Sequence, residues 1–205
     1  VDSVVTGEAD SAFCAVRPPG HHAEPGRSMG FCLFNNIVIG ARWAQRKHNY
    51  GKIAVIDFDV HHGNGTQAAF EKDGDLFFAS THQSPLYPGT GSANEKGVGN
   101  IFNAPLYPDS GSVEFRDAME NKILPALKSF SPELIMISAG FDAHTKDPLA
   151  NLNLAEDDFS WITTALCRIA SEKCDGRIVS VLEGGYNLEA LGPSVAAHVT
   201  SLMKG

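Results

Sequence analysis

The 205-residue sequence is short of several things, and each shortage excludes a class of protein. Basic side chains are outnumbered, with 16 Lys and Arg against 24 Asp and Glu and a formal charge of −8, so a surface that binds nucleic acid directly is not expected. No apolar run approaches the ~18 residues that would cross a bilayer, and the first residues lack a basic segment followed by an apolar stretch; neither membrane insertion nor Sec-type export is expected. Cysteine is scarce. Cys14, Cys32, Cys167 and Cys174 form no C-x-x-C pair and no disulfide-dense pattern, which points to reduced thiols in a cytoplasmic compartment or, in a eukaryote, a nuclear one. Repeats and low-complexity linkers are absent too. With 43% hydrophobic and 20% charged residues, what is present has the composition of one globular unit over 1–205.

Short apolar runs alternate with longer stretches of helical period, the pattern of an α/β fold in which helices cover both faces of a parallel sheet. Strands are expected over 13–16, 52–58, 76–80, 133–138 and 177–182, and helices over 34–46, 113–128, 155–173 and 188–203. Asn153 and Glu156 are spaced as a helix N-cap and its N3 partner. The stretch 81–100 is rich in Gly and Pro and carries no period, and loops of that length inside compact domains are usually functional.

Polar residues collect where the candidate strands end. Arg17-Pro-Pro-Gly-His-His-Ala23 follows the first, Asp57-Phe-Asp-Val-His-His-Gly-Asn-Gly65 the second, Ser138-Ala-Gly-Phe-Asp-Ala-His144 the fourth and Glu183-Gly-Gly-Tyr-Asn187 the fifth. In an open parallel sheet the ligand site lies beyond the carboxyl ends of the strands. Asp57, Asp59 and His61 alternate, so a period of two puts them on one side, with Phe58 and Val60 opposite. A solvated strand end gives no reason for two acids and a histidine beside Ile53, Val55 and Ile56, and the spacing favours a bound cation. Asp142 can complete a set of three ligands, which leaves positions open as catalytic metal sites do.

His21 and His22 follow Pro18, Pro19 and Gly20, which restrict the loop that carries them. Two imidazoles beside a metal site can divide the work of taking a proton from water and later protonating an amine, provided their partners differ. Tyr186 follows two glycines; it is either a core residue with its hydroxyl at the rim or a hydrogen-bond donor to a developing oxyanion. Phe31 and Tyr87 are either packing aromatics or the walls of an apolar channel.

These stretches, together with Gly30-Phe-Cys-Leu-Phe-Asn-Asn36 and Pro88-Gly-Thr-Gly91, occur in the order found in the zinc-dependent histone deacetylase superfamily, which the chain resembles nearly from end to end. The resemblance implies an arginase-like, three-layer α/β/α fold and metal-dependent hydrolysis of an N-acetyl amide, usually acetyl-lysine of a histone or other protein, to amine and acetate. It matches Asp59, His61 and Asp142 to the zinc ligands and Tyr186 to the residue that polarises the substrate carbonyl. Asp57 matches the carboxylate paired with His21, and Asn64 faces His22; neutral His22 is then the general base, while His21 stabilises charge. Gly30 and Phe31 match one side of the acyl-lysine channel. Tyr87 is expected on the other, or Leu86, because the intervening loop is short. A structural K+ or Na+ is implied near Asp57, Asp59, His61, Ser80 and Thr81. Asn64 is the residue of the second eukaryotic class and of the bacterial amidohydrolases.

The family's domain has further strands and helices ahead of its tandem histidines, so the chain is expected to lack the amino-terminal part of the fold. An open sheet edge would result, where a second copy or another chain could associate. Leu149 lies just past Asp142, where polyamine-preferring relatives place an acid; leucine there either merely packs under the loop or, at the channel mouth, favours acetyl-lysine in a peptide. The alternatives are an acetylpolyamine or other small-amide hydrolase and a catalytically silent acetyl-lysine-binding or interaction module. An Asp-His-Asp set also suits iron(II) or manganese(II).

Overall fold

A computed structural model describes residues 1–205. Six strands form one sheet in the order β1-β6-β5-β2-β3-β4, and every pairing is parallel. The strands are β1 (Ser11–Cys14), β2 (Ile53–Asp57), β3 (Leu76–Gln83), β4 (Ile101–Leu106), β5 (Leu134–Ala139) and β6 (Ile178–Leu182). The helices are α1 (Asp2–Val5), α2 (Asn36–His48), α3 (Asn64–Phe70), α4 (Ser112–Ala118), α5 (Leu124–Phe130), α6 (Glu156–Lys173) and α7 (Leu188–Lys204).

The central strands are apolar on both faces because both are covered. Ala54 and Ile56 of β2, Phe77 of β3 and Ile135 and Ile137 of β5 join one core with Phe115, Leu127, Phe159, Ile162 and Leu166 from α4, α5 and α6. The alternate residues Ile53, Val55, Phe78, Leu134 and Met136 join a second core with Val4, Ile37, Ala41, Ala44 and Phe70 from α1, α2 and α3. The period of two thus sorts each strand between two layers, and the expected three-layer α/β/α architecture is present.

The structure departs from the sequence reading at several places. β1 covers Ser11–Cys14, not 13–16, because Ser11 registers with Ile178 and the chain turns away after Cys14. α2 starts at Asn36, two residues late, since Asn35 caps it by accepting from Val38 N. α6 is not capped by Asn153: Ala155 holds that position, and Asp158 accepts from Ala155 N at 3.1 Å. The helix expected over 113–128 is divided by a π turn at Met119–Ile123 just ahead of Pro125, whose missing N–H would break a continuous ladder. β4, α1 and α3 are additional elements, and β3 runs on through Thr81 to Gln83 by pairing with β4, which shortens the loop to 84–100.

All four cysteines are free, and no helix is long and apolar enough to cross a membrane. Beyond the strand ends, Phe58 and Phe141 turn inward onto Phe159 of α6, with ring centroids 5.9 and 5.1 Å apart. These aromatics anchor the two loops that carry Asp59 and Asp142; truncating either would cost about 3–5 kcal/mol.

Candidate active site

The register of β2 places Asp57 between Ser80 of β3 and Ser138 of β5. From there the chain leaves the sheet, and Asp59 and His61 point to one side. Asp59 Oδ2 accepts from Gly184 N at 2.8 Å, while its Oδ1 accepts from His61 N at 2.8 Å. Asp142 arrives from β5, and its Oδ1 accepts from Val60 N at 2.9 Å. His61 Nδ1 lies 3.1 Å from Asp59 Oδ1 and 3.2 Å from Asp142 Oδ2. One donor atom from each of Asp59, His61 and Asp142 falls within 4.8 Å of the other two.

This cluster fits a cation. Both carboxylates are fully buried, one imidazole serves them both, and Asp142 Oδ2 completes no hydrogen bond. Burial, reinforced by the Asp59 charge, pushes the Asp142 carboxyl up to about 6. Burial works against a charged His61, but Asp142 and Asp59 outweigh it and hold the ring at about 10. A divalent ion of N/O preference relieves both frustrations. The backbone makes room for it: a Cβ at Gly184 would run into the carboxylates of Asp142 and Asp59.

The tandem histidines come from the loop after β1 and differ as their partners do. His21 Nδ1 lies 2.9 Å from Asp57 Oδ2, and its Nε2 lies 3.7 Å from Asp59 Oδ1. Burial opposes the charge on His21, yet Asp59, Asp57 and Glu183 together raise its pKa well above the ordinary value. His22 Nδ1 faces Asn64 Oδ1 at 2.8 Å; Asn64 Nδ2 donates to Glu24 Oε1, which fixes the amide with its oxygen toward the ring. His22 therefore donates through Nδ1 and keeps the Nε2 lone pair free. Burial, then the charge of His21, depresses His22 to about 3. The two rings are 4.1 Å apart.

Above these groups opens a cavity of about 400 Å³, lined by His22, Gly30, Phe31, His61, Leu86, Tyr87, Leu149 and Tyr186. Tyr87 stands 5.1 Å from the His22 ring and Phe31 stands 6.1 Å from Tyr186. Leu86 and Tyr87 both contribute, so they are joint lining residues and not alternatives. Gly30, at φ 56°, lies so close to His22 that a Cβ would overlap its imidazole. Tyr186 remains a neutral donor, since burial and the nearby Asp59 and Asp142 all push its pKa upward. No carboxylate lines the cavity.

Ser80 and Thr81 are buried at the adjoining end of β3. Ser80 Oγ lies 2.9 Å from His82 Nδ1, and His82 Nε2 donates to Gly91 O at 3.1 Å. The ring must then accept at Nδ1, and the Ser80 hydroxyl is its donor. Both lone pairs of Ser80 are left for another partner.

Two residues of the site escape a reading of the sequence. Asp147 accepts from Tyr186 N at 2.8 Å and from Leu149 N at 3.0 Å, tying the tyrosine turn to the cavity mouth. Glu183 is buried beneath the tandem histidines, and burial pushes it up to about 7 against the lowering pull of His21. An acid between an apolar strand and two glycines was the available signal for Glu183. Nothing around Asp147 distinguishes it from a loop aspartate.

A family model described as the histone deacetylase domain matches residues 1–202. The chain is 48% identical to histone deacetylase 14, chloroplastic, of Arabidopsis thaliana, over 99% of this chain and 50% of that protein. It is 41% identical to the histone deacetylase-like amidohydrolase of Pseudomonas aeruginosa, over 100% of this chain and 55% of that one. The crystal structure of the HDA15 HD domain is similar with a TM-score of 0.94 at 37% identity, covering 99% of this chain and 58% of the other. The chain spans about half the length of the curated relatives it matches.

Proposed function

The chain belongs to the histone deacetylase domain family, and on that premise we propose that it hydrolyses the N-acetyl amide of acetyl-lysine in a peptide or protein, with zinc held by Asp59, His61 and Asp142. The observation that carries this reading is the convergence of His22, His61 and Tyr186 at one cavity with apolar walls. Phe31, Tyr87, Leu86 and Leu149 suit the methylene stem of a lysine whose charge acetylation has removed. A zinc ion supplies Lewis acidity toward the amide carbonyl and lowers the pKa of water.

The remaining chemistry belongs to side chains of this protein. His22, neutral and with Nε2 free, takes a proton from the attacking water. The environment that keeps it neutral makes its conjugate acid a strong one, suited to protonate the departing amine. His21, held charged by Asp57 and Asp59, offsets negative charge as the tetrahedral centre forms. Tyr186 donates its phenolic proton in a hydrogen bond to the carbonyl oxygen, a bond that strengthens as that oxygen becomes an oxyanion.

A structural K+ or Na+ is part of the proposal, beside Asp57, Asp59, His61, Ser80 and Thr81; the free lone pairs of Ser80 support it. The free cysteines suit a reducing compartment such as the cytoplasm. An acetylpolyamine would find no carboxylate in the cavity lining for its distant ammonium. The test is turnover by the zinc-loaded chain of an acetyl-lysine peptide against acetylspermidine. Release of acetate chiefly from the peptide is expected; preference for acetylspermidine, or no turnover of either with zinc bound, contradicts the reading.

A further inference from the structure

Glu183 follows the last residue of β6 and has no solvent exposure. Its Oε2 accepts from Gly20 N at 2.6 Å and from His21 N at 3.0 Å, and its Oε1 accepts from Ser138 Oγ at 3.2 Å. Arg17 reaches back across the same gap, donating through Nη1 to the main-chain carbonyl of Glu183 at 3.1 Å. One residue thus grips the 17–23 loop at three points. Its chain neighbours hold the rest of the site: Gly184 N donates to Asp59, and Tyr186 N donates to Asp147.

We propose that Glu183 is a positioning residue that locks the tandem-histidine loop to the turn carrying Tyr186. The peptide groups it holds are those that aim His21 at Asp57 and, one residue on, His22 at Asn64. Bonds from an amide to a carboxylate are about twice as strong as neutral ones, and here two converge on one oxygen. The loop carries 2 prolines, 1 glycine and 2 histidines and makes no strand pairing of its own; its other main-chain bonds, such as those from Gly65 N and Thr66 N to His21 O, lead to α3 and not to the turn that carries Tyr186. If Glu183 merely filled a buried space, its replacement would lower stability while the folded molecule kept the same loop protection and turnover.

The proposal rests on the deacetylase reading only for its effect on turnover, and the test separates the two. Amide hydrogen exchange at Gly20 and His21 is followed by NMR in wild type, Glu183→Gln and Glu183→Ala, with β5 amides as the reference for global opening. Glu183→Ala is expected to speed exchange at both amides by roughly tenfold or more relative to β5, and Glu183→Gln, which keeps a neutral acceptor, by less. Unchanged relative exchange in either variant overturns the clamp, and Glu183→Gln decides alone if the alanine variant does not fold. On an acetyl-lysine peptide, Glu183→Ala should lower kcat by about 10²-fold with KM within about threefold, and Glu183→Gln should recover most of the loss. An unchanged kcat in folded Glu183→Ala overturns the positioning role. A wild-type chain without turnover counts against the deacetylase reading, and the exchange result still decides the clamp.

Discussion

Two buried carboxylate clusters sit on the same scaffold and are treated in opposite ways. In the first turn of α6, Asp158 accepts from Ser112 Oγ at 2.6 Å and from Ala155 N at 3.1 Å, and pairs with Arg116 at 2.8 Å. Its charge is matched and its oxygens are occupied. At and just beyond the strand ends, Asp57, Asp59, Asp142 and Glu183 are equally buried; apart from main-chain amides and the Ser138 hydroxyl, the charges that stabilise them are those of the His21 and His61 imidazoles, and one oxygen of Asp142 has no hydrogen bond. A buried acid that holds a fold together brings its own counter-charge; a cluster short of positive charge is arranged for a cation from outside. Substitutions in the first cluster should therefore act on stability, and those in the second on chemistry.

The sharpest separation is expected from His22→Ala, which should lower the single-turnover rate by roughly 10³-fold or more with little change in urea midpoint. His21→Ala should be less damaging to that step; matched rates in which His21→Ala is the worse would reverse the assignment of the base. Asp158→Ala should do the converse, costing about 1–2 kcal/mol in urea unfolding by removing the acceptor of Ala155 N at the start of α6 and the partner of Ser112, while kcat per folded molecule stays the same. A lowered kcat there would break the division between the clusters. Tyr186→Phe should cost about 10²–10³ in kcat with little change in KM or stability, because the lost bond matters chiefly in the transition state. The smallest effect is expected from Leu149→Glu at the cavity mouth: a carboxylate there should attract a distant ammonium by about 1–2 kcal/mol, raising preference for acetylspermidine by roughly tenfold. An unchanged ratio of specificity constants would mean that Leu149 does not govern selectivity.

The strand-end cluster was legible in the sequence because its scaffold is. Ile53–Asp57, Leu134–Ala139 and Ile178–Leu182 are fully buried and apolar but for Asp57, Ser138 and Ser180, and each runs into polar residues that a buried strand has no use for. Alternation then sorts Asp59 and His61 from Phe58 and Val60 without any tertiary information. β4 was hidden because Asn103 and Pro105 interrupt its pattern; Pro105 is tolerated at a sheet edge, where its missing N–H faces no partner strand. α3 was hidden because Asn64, Gly65 and Thr66 are poor helix formers, held in place by bonds from Gly65 N and Thr66 N to His21 O. The roles of Asp147 and Glu183 depend on backbone amides from distant segments, and no local pattern encodes those. Asp158, the balanced acid, reads in the sequence as one of three acids opening a helix, and only packing brings Arg116 to it.

The central claim is that the deficit of positive charge among Asp59, His61 and Asp142 is filled by one divalent ion. The direct measurement is zinc bound per chain after dialysis against a weak chelator, for wild type, Asp142→Ala and Asp158→Ala in parallel. The account predicts close to one ion in wild type and in Asp158→Ala, and far less in Asp142→Ala. Full occupancy in Asp142→Ala, or an equal loss from both variants, would contradict it.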